Sequence, residues 1–256
     1  MLWIVAVLLT LVLVVAAAFV ISPVPSVLLF RNAFKDQETT KPEGFAAMKR
    51  QVSVTRDLSY PSSYRHSNFD VYRPTNVAAD KALPVIVWVH GGGFIAGDKS
   101  ELSTYGVMLA SQGYEVVAMN YDYAPTGKYP TPVIQVGQLV SHLYGIAQRY
   151  HLDTDRIIIG GDSAGAQIAA QFAAVQTTEG YAKASGIKRI DMKRPLTGAI
   201  LFCGPYDFTK FTSGDSSWML RWFMNTVAWG YLGNRNWRGS PELKLASVTA
   251  HVSANF

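Results

Sequence analysis

Residues 157–171 read IIIGGDSAGAQIAAQ. An isoleucine run suited to a buried strand stops at two glycines, and a serine then stands between an acid and an alanine. A helix of small residues begins immediately after it. Gly161-Asp162-Ser163-Ala164-Gly165 matches G-x-S-x-G. The bare pattern is weak evidence, but a strand before it and a helix after it supply the context in which it carries chemistry. Such a turn is sharp and its serine backbone strained, and side chains at Gly161 and Gly165 would strike the neighbouring strand and helix. The start of the helix favours negative charge developing near Ser163. Ser163 is therefore a candidate nucleophile, and the plainer alternative is the polar tip of a tight turn.

A second motif weighs against the plainer alternative. His90-Gly91-Gly92-Gly93-Phe94 follows the strand-like run PVIVWVH. Three consecutive glycines leave backbone N–H groups free to converge on one point, as an oxyanion requires, and losing one such donor costs about 10²–10³ in rate. Gly91, Gly92 and Gly93 are candidate donors, with the N–H of Ala164 as the remaining one. A lone HGGG would fit a flexible loop or a phosphate-binding turn. Two motifs in this order, each after its own strand, form a stronger signal.

Outward from these motifs the chain alternates. QVSVTRDLSY (51–60) and SNFDVYRP (67–74) alternate as half-buried strands, an antiparallel pair at a sheet edge. Strands are then expected at 83–90, 114–121, 156–161 and 197–204, and helices at 102–113, 131–150 and 164–177. Strands alternating with helices, with continuous β-branched runs, predict an α/β fold with a mostly parallel sheet covered on both faces. Residues 207–240 break this rhythm. SSWMLRWFMNTVAWGYLG is rich in aromatics, and Trp218 and Trp222 fall four apart on one helical face. It reads either as a core-facing helix or as a cap over an apolar substrate pocket.

These stretches resemble the α/β-hydrolase fold esterases and lipases, within them the hormone-sensitive-lipase-like and feruloyl-esterase-like (fold-3) group. The matching runs are HGGGFIAGDK (90–99), NYDYAP (120–125), IIIGGDSAGAQIAA (157–170) and LFCGPYD (201–207). The resemblance extends from about residue 52 to the last residue. It implies that Ser163 is the nucleophile and that the HGGG glycines and Ala164 form the oxyanion hole. It also implies that His90 places the loop, with Gly161, Asp162 and Gly165 supporting the elbow. In this fold the chain order is Ser, then Asp or Glu, then His. After Ser163 the only histidine is His251. Two strands, a helix and the loops bearing acid and base are expected to be missing, so the sequence reads as truncated at its C-terminus and nearly inactive as it stands. The alternative is an unusual triad completed by Asp207 and His251, which would require His251 to come within about 2.6–3.2 Å of the serine. His66, His142 and His151 precede Ser163 and read as solvated or locally bonded. No metal-ligand spacing is present and no cofactor is implied.

Met1 to Ile21 is apolar without a charged side chain, and about 20 such residues span a bilayer core. A single-pass anchor is the first reading, a cleaved signal or a buried helix the others. Residues 22–50 read as a juxtamembrane connector, and 51–256 as the incomplete hydrolase domain. Arg31, Lys35 and Lys41 follow the span, interspersed with Asp36 and Glu38, and weakly favour a cytoplasmic domain. The net charge of +5 is modest, and no basic run interleaved with aromatics suggests nucleic acid. The lone Cys203 excludes an internal disulfide. Expected partners are a small-molecule or lipid ester and the membrane, with the oligomeric state open. Expected function is hydrolysis of esters bearing an apolar acyl or aryl group through an acyl-enzyme. Amide or formamide cleavage and a non-catalytic, membrane-tethered binding protein are the alternatives.

Overall fold

The computed structural model describes residues 2–33, 40–212 and 217–256. Lys35, Asp36 and Glu38, and part of the aromatic segment 207–240, lie outside the described residues. Helix α1 (Leu2–Ile21) has 20 residues, a mean hydropathy of 3.3 and no buried residue. At about 1.5 Å per residue it is about 30 Å long, enough to cross a bilayer core. The stretch expected as a connector contains two further helices, α2 (Val24–Ala33) and α3 (Phe45–Arg50).

The sheet has six strands: β1 (Val52–Ser59), β2 (Asn68–Pro74), β3 (Leu83–Val89), β4 (Glu115–Met119), β5 (Leu152–Asp162) and β6 (Gly198–Phe202). Their spatial order is β1-β2-β4-β3-β5-β6. β2 runs antiparallel to β1 and β4, while β4, β3, β5 and β6 are parallel, as the sequence pattern predicts. Helices α4 (Ser103–Ser111), α5 (Thr131–Tyr150), α6 (Ala164–Thr177) and α7 (Glu179–Ser185) join the parallel strands. Beyond β6 come α8 (Trp218–Leu232) and α9 (Pro241–Ala246), then a 3₁₀ turn at Val248–Ala250.

Alternation in β3 divides the core. Val85, Val87 and Val89 pack with residues of α5 and α6 on one face, and Ile86 and Trp88 with residues of α4 on the other. The strand expected at 156–161 begins earlier, at Leu152. Leu152 and Asp153 pair with Leu83 and Pro84 before the register shifts at Val85, and their polar neighbours hide the pairing from a hydrophobicity pattern. From β3 the chain steps to β4 on one side, then crosses to β5 on the other. That reversal opens a crevice at the carboxyl ends of β3 and β5, where open α/β sheets bind their ligands. Both motifs stand at those two ends.

Candidate active site

Ser163 occupies the junction between β5 and α6 with φ 50° and ψ −120°, a region a non-glycine residue enters only under strain of about 1–3 kcal/mol. The fold imposes that conformation from three sides. The Ser163 N–H donates to the Phe202 carbonyl of β6 at 2.8 Å. A Cβ at Gly165 would lie 2.0 Å from the Val89 carbonyl oxygen, and one at Gly161 would lie 2.6 Å from the Gly165 backbone. Both glycines are therefore steric requirements. Every residue of the alanine-rich helix α6 from Ala164 to Val175 is buried.

The glycine loop lies directly against the serine. A Cβ at Gly91 would stand 3.3 Å from the Ser163 Cβ and 2.4 Å from a carboxyl oxygen of Asp162. Gly92 and Gly93 have φ 102° and 59°, open to glycine without cost. His90 holds the loop from behind. Its Nδ1 lies 2.8 Å from the Gly91 carbonyl oxygen, and its ring stacks on Tyr121 at 4.4 Å. The Tyr121 hydroxyl donates to the carbonyls of His90 (2.9 Å) and Gly91 (3.2 Å). Burial lowers the His90 pKa to about 4, so the imidazole is neutral near pH 7. With Nδ1 facing a carbonyl, it is Nδ1 that carries the proton.

Burial raises the Asp162 carboxyl, opposed chiefly by the hydrogen bond that the Trp88 indole donates to it at 3.1 Å. Gly91 is the point of closest approach between the loop and Asp162. The N–H groups of Gly92, Gly93 and Ala164 have no hydrogen-bond acceptor among the described residues. The Trp88–Asp162 hydrogen bond ties the elbow to β3.

The aromatic segment forms a helix that is buried in its second half and packs on the glycine loop. Thr226 to Ala228 and Gly230 to Leu232 of α8 are buried. Phe94, at φ 62°, stacks on Tyr231 at 4.2 Å, and Phe223 would meet a Cβ at Gly93 at 3.1 Å. The helix therefore covers the glycine loop. Helix α2 packs on α8 in turn, with Phe30 at 4.7 Å from Trp222 and 5.0 Å from Phe223. Arg31 reaches from α2 to the loop itself, donating from Nε to the Ile95 carbonyl and from Nη2 to the Ala124 carbonyl at 2.7 Å.

Asp207 and His251 line a shared cavity of about 370 Å³ with Lys244, Ser247 and Thr249, and Ser163 is not in its wall. Asp207 accepts from the N–H and hydroxyl of Thr209. His251 stacks on Tyr181 at 4.1 Å, with Nε2 2.9 Å from the Lys244 carbonyl oxygen. Among the described residues neither hydrogen-bonds the other, and no imidazole or carboxylate hydrogen-bonds the Ser163 hydroxyl. The structure does not bring this alternative pair to the serine. Of the earlier histidines, His66 pairs with Asp122 at 2.7 Å, His142 packs edge-on to Phe69, and His151 ends α5 in a left-handed conformation. Among the described residues no group of His, Cys, Asp or Glu is placed to hold a metal ion.

Comparison with known proteins identifies the family. Residues 69–255 match the BD-FAE family model, a stretch that holds both motifs and all of the parallel strands. The chain belongs to the BD-FAE family. It falls among the α/β-hydrolase fold-3 esterases and lipases. It is 33% identical to the kynurenine formamidase of Salmo salar over 221 residues, covering 86% of this chain and 68% of that protein. It is 26% identical to the probable carboxylic ester hydrolase LipM of Mycobacterium tuberculosis over 184 residues, 72% of this chain and 42% of that one. The crystal structure of esterase B from Lactobacillus rhamnosis superposes with a TM-score of 0.67 at 21% identity, covering 96% of this chain and 72% of that one. The chain spans less than half the length of several curated relatives it matches.

Three contributors to this BD-FAE site escape a motif search. Tyr121 lies within NYDYAP and was visible as a motif without a role. Phe223 belonged to the aromatic segment without a partner. Arg31 lies 64 residues from Ile95, and no local pattern signals that contact.

Proposed function

We propose that this protein is a membrane-anchored serine hydrolase that cleaves carboxylic esters with an apolar acyl or aryl group. The observation that carries this reading is the strained Ser163 held against a glycine loop, with the N–H groups of Gly92, Gly93 and Ala164 unspent. The Ser163 oxygen adds to the ester carbonyl, and those three N–H groups take up the charge on the carbonyl oxygen. Collapse breaks the bond to the alkoxide, which leaves as the alcohol with the proton given up by the Ser163 hydroxyl; water then cleaves the acyl-enzyme to the acid and returns a proton to Ser163. Among the described residues no imidazole or carboxylate hydrogen-bonds the Ser163 hydroxyl. On its own, an oxyanion hole acting on an unassisted hydroxyl retains only a small residual catalysis. The aromatic side chains of α8 over the loop favour an apolar group on the substrate, and α1 favours a membrane location.

Amide or formamide cleavage is a second reading, favoured by the 33% identity to a kynurenine formamidase. The same nucleophile and anion hole serve both reactions. Turnover of a p-nitrophenyl butyrate series and of an arylformamide, each with Ser163→Ala as control, separates them. Faster ester turnover that is lost in Ser163→Ala supports the first reading, and the reverse preference supports the second. Turnover of neither, with binding retained, would favour the non-catalytic alternative.

A further inference from the structure

An apolar surface remains beside the site. Helix α1 meets α2 across only Ser22 and Pro23, whose backbones already join the two helices through Ser22 N–H to Ala18 O at 3.1 Å and Val27 N–H to Pro23 O at 2.9 Å. The start of α2 is therefore fixed at the end of the span. One face of α2 packs on α8 through Val27 and Phe30, and Ser26 accepts from the Trp222 indole at 3.2 Å. The other face presents Val24, Leu28 (56% exposed) and Leu29. The only charged residue of α2, Arg31, turns inward to the Ile95 and Ala124 carbonyls. The first turn of α8 exposes Trp218 (66%), Met219 and Leu220.

We propose that Val24, Leu28 and Leu29 of α2, with Trp218, Met219 and Leu220 of α8, form a lipid-contact face that lies in the bilayer interface. Continuity selects the occupant. The patch begins where a helix long enough to span a membrane ends, and its inward-turned arginine leaves the exposed side of α2 uncharged. Trp218 suits the interfacial layer, where tryptophan concentrates. The patch also lies close to the chemistry: Phe30 of α2 touches Phe223, and Phe223 touches Gly93 of the glycine loop. Substrate would then enter laterally, as an ester whose acyl chain is already partitioned in the bilayer. This second half rests on the hydrolase reading, whereas the lipid contact does not.

The full chain, carrying Cys203→Ser and reconstituted in phosphatidylcholine vesicles, tests the proposal. Single cysteines replacing Leu28, Met219 and, as a remote control, the exposed Lys188 are labelled with the NBD fluorophore. At positions 28 and 219 the proposal expects blue-shifted emission, strong quenching by doxyl-labelled lipids and protection from aqueous iodide. Position 188 shows the opposite pattern. Iodide quenching at positions 28 and 219 equal to that at 188 overturns the proposal. Protection from both quenchers also overturns it, because a protein surface such as a second copy would then cover the face. The route is read from Met219→Glu, which lowers turnover of a vesicle-embedded long-chain ester several-fold while leaving a water-soluble short ester unchanged; equal effects on both overturn the route. Fluorophosphonate labelling in the same vesicles reports on Ser163 separately, so a failed hydrolase reading leaves the fluorescence result standing.

Discussion

Replacing Gly165 with alanine attacks the elbow at its tightest point. The new Cβ would stand 2.0 Å from the Val89 oxygen and 2.4 Å from the His90 oxygen, whereas ordinary contact begins at 3.4 Å. Both obstructions are backbone carbonyls at the end of β3, so no side chain can rotate away. The strand end and α6 must separate by roughly 1 Å, and such overpacking costs about 1–3 kcal/mol. For a chain of this size each kcal/mol lowers Tm by roughly 2–4 °C. The displaced segment continues into the glycine loop, and a misplacement of about 1 Å between reacting groups costs about 10²-fold. The assay pairs thermal unfolding with the fluorophosphonate labelling rate of Ser163, measured well below Tm and relative to the parent. Gly145→Ala is the control: that glycine lies within α5 with no neighbouring atom within 4 Å of a new Cβ. It should gain up to about 1 kcal/mol from helix propensity and label at the parental rate. Parental stability and labelling in Gly165→Ala would refute the steric argument.

Three further outcomes follow from the contacts around the site. Removing the guanidinium in Arg31→Met orphans the Ile95 and Ala124 carbonyls, with an expected cost of about 1–3 kcal/mol and slower labelling; unchanged values would disconnect α2 from the loop. His251→Ala should leave whatever esterase activity the chain has unchanged, because the ring is stacked on Tyr181 away from the serine; activity that disappears in this variant contradicts that placement. Burial keeps the folded-state pKa of His90 near 4, against 6.5 when free, so the unfolded chain binds the extra proton first. Its contribution is whole above pH 6.5 and falls as pH drops towards 4, by up to about 3 kcal/mol. Glu115, raised by burial to about 7, acts with the opposite sign over part of that window. The parent-minus-His90→Asn difference in unfolding free energy isolates the histidine and should shrink on acidification; a difference independent of pH would count against the buried neutral imidazole.

The parallel sheet was legible because its strands are continuous apolar runs, and the two motifs were legible because glycine spacing records steric demand at one turn. Helix α2 was obscured by Pro23 and Pro25 and by the apolar run before it, and its docking depends on Phe30 and Arg31 meeting residues 64 to 193 positions away. The start of β5 was lost because LDTD carries no alternation and pairs through a shifted register. Residues far apart in sequence, held by side-chain contacts, are where a reading of local pattern stops.

The most direct test of the central claim is covalent labelling of the protein in the cells that express it with a fluorophosphonate, followed by mass spectrometry of the labelled peptide. The account predicts a single adduct on Ser163 that is abolished in Ser163→Ala and slowed in Gly165→Ala. No adduct, or an adduct on a different residue, would contradict it.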